Sequence, residues 1–143
     1  VLQLKPKHVV MLIGTNDILA VSPDYWWRKP GRAREEIMTE AKENLELLVK
    51  KCEGIPLTLC SVLPISICQP HDRTLINGMV LELNEHIRNL SEKYGTQYAD
   101  YHSAMCDADG MLMREGLTYD GIHPNGDGYV IMANVLKQFS QFE

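Results

Sequence analysis

Near its C-terminus the sequence reads Thr118-Tyr119-Asp120-Gly121-Ile122-His123-Pro124-Asn125-Gly126. An aspartate three residues ahead of a histidine, with a glycine between them and a proline behind, can fold so that the carboxylate meets the ring. Asp120 would then accept the Nδ1 hydrogen of His123, fix the tautomer and leave Nε2 as a general base. A lone histidine in a turn usually caps or packs. The D-x-x-H-P spacing before a helix tips the balance toward chemistry once a second group is considered. That group is Gly14-Thr15-Asn16-Asp17, at the end of an apolar run. Gly14 lets the chain turn sharply, and Asn16 offers a neutral amide donor of the kind that stabilises a developing oxyanion. An Asx turn leaving a strand is an equally good reading of G-T-N-D taken alone.

Both groups need a scaffold that brings them to one place. His8–Ile13 is a short, continuous apolar run ended by Gly14, the pattern of a strand covered on both faces. Residues 57–62 repeat it after Gly54 and Pro56, and residues 97–101 form a shorter candidate. Between them the spacing predicts a helix from about Ala33 to Cys52, with Ile37, Ala41, Leu45, Leu48 and Cys52 inward. A second runs from about Arg73 to Tyr94, capped by Asp72 and closed by Gly95, with Ile76, Met79, Leu83, Ile87, Leu90 and Tyr94 inward. A third covers about 126–139, with Tyr129, Met132, Ala133 and Leu136 on one side. Alternating strands and helices imply an α/β fold with a parallel sheet, right-handed crossovers and helices on both faces. Ligands of such sheets bind beyond the carboxyl ends of the strands, where both groups fall.

The first strand is too apolar for an edge, where it would be an unpaired template. A partner strand upstream is therefore expected, and residues 1–143 read as a single domain incomplete at its N-terminus. The opening residues, Val1–Pro6, lack the layout of a secretory signal and resemble the tail of a helix begun earlier.

The chain has 143 residues, 14 Lys+Arg against 19 Asp+Glu and a net charge of −5. That balance argues against a general nucleic-acid partner, and no apolar run approaches the roughly 20 residues of a membrane span. Cys52, Cys60, Cys68 and Cys106 lack metal-like spacing. They read as buried small hydrophobes and lean toward a reducing, cytoplasmic compartment.

In order and context, Gly14-Thr15-Asn16-Asp17 and Asp120-Gly121-Ile122-His123-Pro124 resemble the third and fifth sequence blocks of the SGNH (GDSL) hydrolase family. The likeness covers essentially the whole chain. It implies a flavodoxin-like three-layer α/β/α fold and an esterase or lipase activity that needs no metal or organic cofactor. By match, Asn16 resembles the side-chain oxyanion donor, Gly14 the turn glycine of its block, and Asp120 and His123 two members of a Ser–His–Asp triad. Asp17 is expected to orient the loop. The family's G-D-S block is absent, and Ser22, Ser61, Ser66, Ser91, Ser103 and Ser140 lack a nucleophile-elbow context. The nucleophile and a second block carrying an oxyanion glycine are therefore expected N-terminal to Val1, and the displayed chain alone is expected to be inactive.

Tyr25-Trp26-Trp27-Arg28 falls where a family member would line its pocket. Trp26 and Trp27 suit a sugar or acyl group, or equally a packed lid or dimer contact. Residues 107–110, Asp-Ala-Asp-Gly, lack the ligand series of a calcium loop and read as a tight turn. The other histidines share no zinc-like spacing. The expected function is hydrolysis of small esters, O-acetyl carbohydrate or short acyl. The alternative is a non-catalytic α/β binding or interaction module that retains the Asp–His pair.

Overall fold

The computed structural model describes residues 2–23, 31–66 and 70–139. A turn of 3-10 helix at Leu2–Leu4 leads into β1 (Val9–Met11), α1 (Thr15–Leu19), α2 (Arg34–Lys51) and β2 (Leu57–Cys60). Then come α3 (Pro70–Tyr94), β3 (Gln97–Ala99), α4 (Tyr101–Met105) and α5 (Gly126–Leu136). The strands form a parallel sheet in the order β1-β2-β3, with Val9 opposite Leu57 and Thr58 opposite Gln97.

Strand alternation divides the apolar residues between two cores. Leu57 and Leu59 of β2 join the larger cluster with residues of α1, α2 and α3, and Val9, Met11 and Tyr98 pack against it. Cys60 and Ala99 join a second cluster with residues of α4 and α5, and Leu12 packs there. Two such clusters on a period-two sheet are the three layers that the sequence implies. β1 ends the described sheet on one side, with Val10 41% exposed.

Three helix assignments differ in detail. On α2 the inward row continues from Leu45 to Val49, while Leu48 is exposed. Successive i+4 steps make a ridge inclined to the helix axis, and that ridge passes through Val49. α3 begins at Pro70, whose fixed φ suits the first helical position, so Asp72 lies within the first turn and is not the N-cap. There its carboxylate accepts the Ser22 hydroxyl at 3.2 Å. α5 ends at Leu136; Met132 and Leu136 pack inward as expected, but Tyr129 and Ala133 are exposed, while Gly128 and Val135 are buried. A Cβ at Gly128 would lie 2.8 Å from the Leu117 carbonyl oxygen and 2.9 Å from Pro124 Cβ. The glycine therefore sets which side of α5 approaches the core.

Beyond β2 the chain stays buried from Ser61 to Ile65, with the Ser61 N–H still donating to the Ala99 carbonyl of β3 at 3.0 Å and Val62 to Ile65 lying past the paired strand. Buried backbone groups need hydrogen bonds, and two asparagines of α3 supply them. The Val62 N–H donates to Asn84 Oδ1 at 2.6 Å, and Asn84 Nδ2 donates to the Val62 carbonyl at 2.9 Å. Asn77 does the same for Ile65, at 3.0 and 2.9 Å.

Candidate active site

Gly14 follows β1 with φ +120°, a conformation L side chains rarely adopt, and caps α1. An ideal Cβ on it would meet Leu83 Cδ2 at 2.8 Å and Val62 Cγ2 at 3.0 Å. Both the turn and the close approach therefore require glycine. The chain then enters α1 directly, so Asn16 sits in a first helical turn and forms no Asx turn. Its side chain is exposed, as is that of Asp17, whose charge complements the helix N-terminus.

Asp120 and His123 meet as their spacing requires. Nδ1 of His123 and Oδ2 of Asp120 are 2.6 Å apart. The other oxygen, Oδ1, accepts the backbone N–H groups of Ile122 at 2.9 Å and of His123 at 2.8 Å. Gly121 is buried at φ +81°, and its N–H donates to Thr118 Oγ1 at 2.9 Å. A bridge between Thr118 and Pro124 closes the loop, and Asn125 caps α5 by accepting the Gly128 N–H at 3.1 Å. The His123 hydrogen bond, followed by the two backbone N–H groups, holds the Asp120 carboxyl far below the usual carboxylate range. An ionised Asp120 can only accept, so the bonding proton sits on Nδ1 and Nε2 of the neutral ring is an acceptor. The His123 side chain is 78% exposed.

The loop after β2 joins these parts. The Ser66 N–H donates to the Gly121 carbonyl at 2.9 Å, and Ile122 packs against the cluster containing Ile18 of α1, Val62 and Ile65. The Asn16 turn and the Asp120–His123 loop thus lie at the carboxyl end of the sheet. Among the described residues, no hydrogen bond links Asn16 to either member of the pair. Trp26 and Trp27 lie outside the described residues.

The Ser66 hydroxyl donates to the Gly121 carbonyl at 3.5 Å, and three other serines are engaged away from the pair. The hydroxyl of Ser61 donates to Asp100 at 3.4 Å and accepts the His102 N–H at 2.8 Å. Those of Ser91 and Ser103 donate to the Thr96 carbonyl at 2.8 Å and to Asp100 at 2.9 Å. Asp107 Oδ1 accepts the N–H groups of Met111 at 3.1 Å and Leu112 at 3.2 Å, making residues 107–112 a self-satisfied turn. Among the described residues, no group of three or more His, Cys, Asp or Glu could hold a metal ion. Cys52, Cys60 and Cys106 are buried free thiols; Cys68 lies outside the described residues. Asn77 and Asn84 were not singled out in the sequence. Their one signal is a pair of amides two helical turns apart, each next to an inward residue, Ile76 or Leu83.

The described residues thus form a parallel α/β sheet with an Asp–His pair and an amide-bearing turn at its carboxyl end. Residues 1–131 match the GDSL-like Lipase/Acylhydrolase family, and the chain belongs to that family. It is similar to the structure of a GDSL-like lipase from Bacteroides thetaiotaomicron, with 26% identity and a TM-score of 0.71, covering 96% of this chain and 63% of that one. It shares the fold of an acetylxylan esterase from Geobacillus stearothermophilus, with 18% identity and a TM-score of 0.74, over 96% and 61% of the two chains. It is 26% identical over 132 residues to an N-acylneuraminate cytidylyltransferase of Escherichia coli, covering 92% of this chain and 28% of that protein. The chain thus spans less than two thirds of the length of each of these relatives.

Proposed function

We propose that the protein containing this chain is a serine ester hydrolase in which His123 is the general base, Asp120 orients and charges its ring, and Asn16 donates to the oxyanion. The observation that carries this reading is the 2.6 Å contact between His123 Nδ1 and Asp120 Oδ2, with the ring open to solvent. His123 Nε2 takes the proton of a serine hydroxyl, and the alkoxide attacks the ester carbonyl. The Asn16 amide, with backbone N–H groups, receives the charge on the tetrahedral oxygen. His123 then protonates the leaving alcohol and activates water for deacylation.

The nucleophile is placed in a segment preceding Val1 that adds a strand beside β1. Two observations favour this. The described serines are not bonded to His123, and among the described residues β1 ends the sheet, with Val10 and, just past the strand, Ile13 each 41% exposed. The substrate is a small ester, with O-acetyl groups on carbohydrate or short acyl chains ahead of long-chain lipid. Family membership and the aromatic segment Tyr25-Trp26-Trp27-Arg28 support that class.

The test uses the whole protein. It should be labelled by a serine-reactive phosphonate and hydrolyse p-nitrophenyl acetate, and His123→Ala should abolish both while folding is retained. Normal turnover in His123→Ala overturns the mechanism. A folded whole protein that takes no label and cleaves no ester is instead a non-catalytic member of the fold.

A further inference from the structure

We infer that Asn77 and Asn84 of α3 are positioning residues, one for each half of the site, acting through the buried loop that follows β2. The inference rests on the proposed roles of Asp120, His123 and Asn16. Each amide makes a two-point bond to one loop residue, with an acceptor for its N–H and a donor for its carbonyl. Only a side chain carrying both functions at this reach can do so. Asn77 is fully buried and also donates to the Arg73 carbonyl at 3.1 Å, which ties it to its own helix. Asn84 is 7% exposed.

The two hooks lead to different places. Asn77 fixes Ile65, and the next residue, Ser66, donates its N–H to the Gly121 carbonyl at 2.9 Å. Gly121 lies between Asp120 and His123, so this path sets where the Asp–His loop rests against the sheet. Asn84 fixes Val62, whose Cγ2 stands 3.0 Å from where a Cβ of Gly14 would be, beside Leu83 of the same helix. That contact sets the turn that carries Asn16, and the Gly14 carbonyl in turn accepts the Ile18 N–H at 3.1 Å. Seven residues of helix separate the hooks by about 10 Å. α3 is thus a rigid spacer between the base and the oxyanion donor, and a misplacement of about 1 Å in such a pair costs up to about a hundredfold in rate.

The experiment compares Asn77→Ala and Asn84→Ala in the whole protein by NMR hydrogen exchange and by steady-state kinetics. Asn77→Ala should speed exchange of the Ser66 amide and of the His123 Nδ1 proton by about tenfold or more, with the Ile18 amide unchanged within about twofold. Asn84→Ala should do the reverse. In both, kcat should fall while KM holds, since the substrate's binding surface is not touched. Equal acceleration at both places, or none at either, in folded variants overturns the inference, because a merely structural role lowers stability without this division. Should the alanine variants not fold, exchange of the wild-type protein in mild urea decides. Ser66 must open with Ile65, and Ile18 with Val62; a Ser66 amide that opens independently of Ile65 also overturns it. The exchange pattern stands or falls without any ester turnover, so failure of the hydrolase reading would be seen separately.

Discussion

The Asp120 carboxylate grips His123 twice: Oδ2 meets ring Nδ1 at 2.6 Å, and Oδ1 takes the same residue's backbone N–H at 2.8 Å. The ring is thereby tied to the turn that carries it, and rotation about its side-chain bonds is restricted without any packing. A buried histidine of α4 is built the opposite way. His102 is buried with Nδ1 3.2 Å from Cys106 Sγ, and burial lowers its pKa. The same burial pushes the Cys106 thiol up to about 11, so that pair holds neither an imidazolium nor a thiolate at neutral pH. Of the two, only the Asp120–His123 pair is both charged and open to a substrate.

Replacing Asp120 by Asn should keep an oxygen for the backbone N–H groups but remove the charge and the tautomer control. The expected result is a fall in kcat of about 10³- to 10⁴-fold, with KM changed little and the circular dichroism spectrum retained. Steady-state hydrolysis of p-nitrophenyl acetate by the whole protein measures it. Undiminished kcat would show that His123 works without this carboxylate.

Asn16 is exposed and holds up no core residue. Asn16→Ala should therefore leave the unfolding free energy from urea titration within about 0.5 kcal/mol of wild type. The same change should lower kcat about 10²- to 10³-fold if the amide receives the oxyanion. Loss of stability in parallel with activity would assign the residue to the turn.

The contrast between what the sequence disclosed and what it hid has a physical basis. Asp120, His123 and Gly14 were legible because their chemistry is local: a three-residue spacing closes a hydrogen bond, and a strand end demands a left-handed turn. β1 and β2 were legible through apolar runs bounded by glycine or proline, while β3, Gln97–Ala99, was a weaker candidate because it has no such run. The facing of α5 was legible only in part, because it is also set by the absence of a side chain at Gly128 and by the Leu117 carbonyl it approaches, neither of which shows in apolar periodicity. Asn77 and Asn84 stayed hidden for a related reason. Their partners are backbone groups 12 and 22 residues away, and a backbone group has no letter in the sequence.

Gly14→Ala should destabilise the fold by about 1–3 kcal/mol, measured as a fall in urea midpoint. The strain has two sources, since φ is +120° and the new Cβ would press on Leu83 and Val62. If either source dominates, a second change tells which. Measured against Leu83→Ala alone, because loss of that buried leucine is itself costly, adding Gly14→Ala meets only the Val62 contact and the dihedral strain, so part of the loss should remain. Unchanged stability in Gly14→Ala would mean that the turn relaxes freely.

Glu46 sets an acid limit on the contact between α2 and α3. Its carboxylate accepts Lys93 Nζ at 2.8 Å and the Tyr94 hydroxyl at 2.6 Å, and pairs with Lys50 Nζ at 3.2 Å. These hydrogen bonds, Lys93 first, lower its pKa from 4.5 to about 2. A carboxyl whose pKa is lowered by folding stabilises the native state at pH values above its unfolded pKa. That contribution is lost as pH falls from about 4.5 through about 2, where the folded form also protonates. Glu46→Gln should therefore lie below wild type in urea midpoint at pH 7 and converge on it as the pH approaches 2. The gap at pH 7 should narrow in 1 M salt, because the pair is near the surface and the Debye length is then only about 3 Å. A gap that stays constant across the acid range would mean that the glutamine loses packing, not charge.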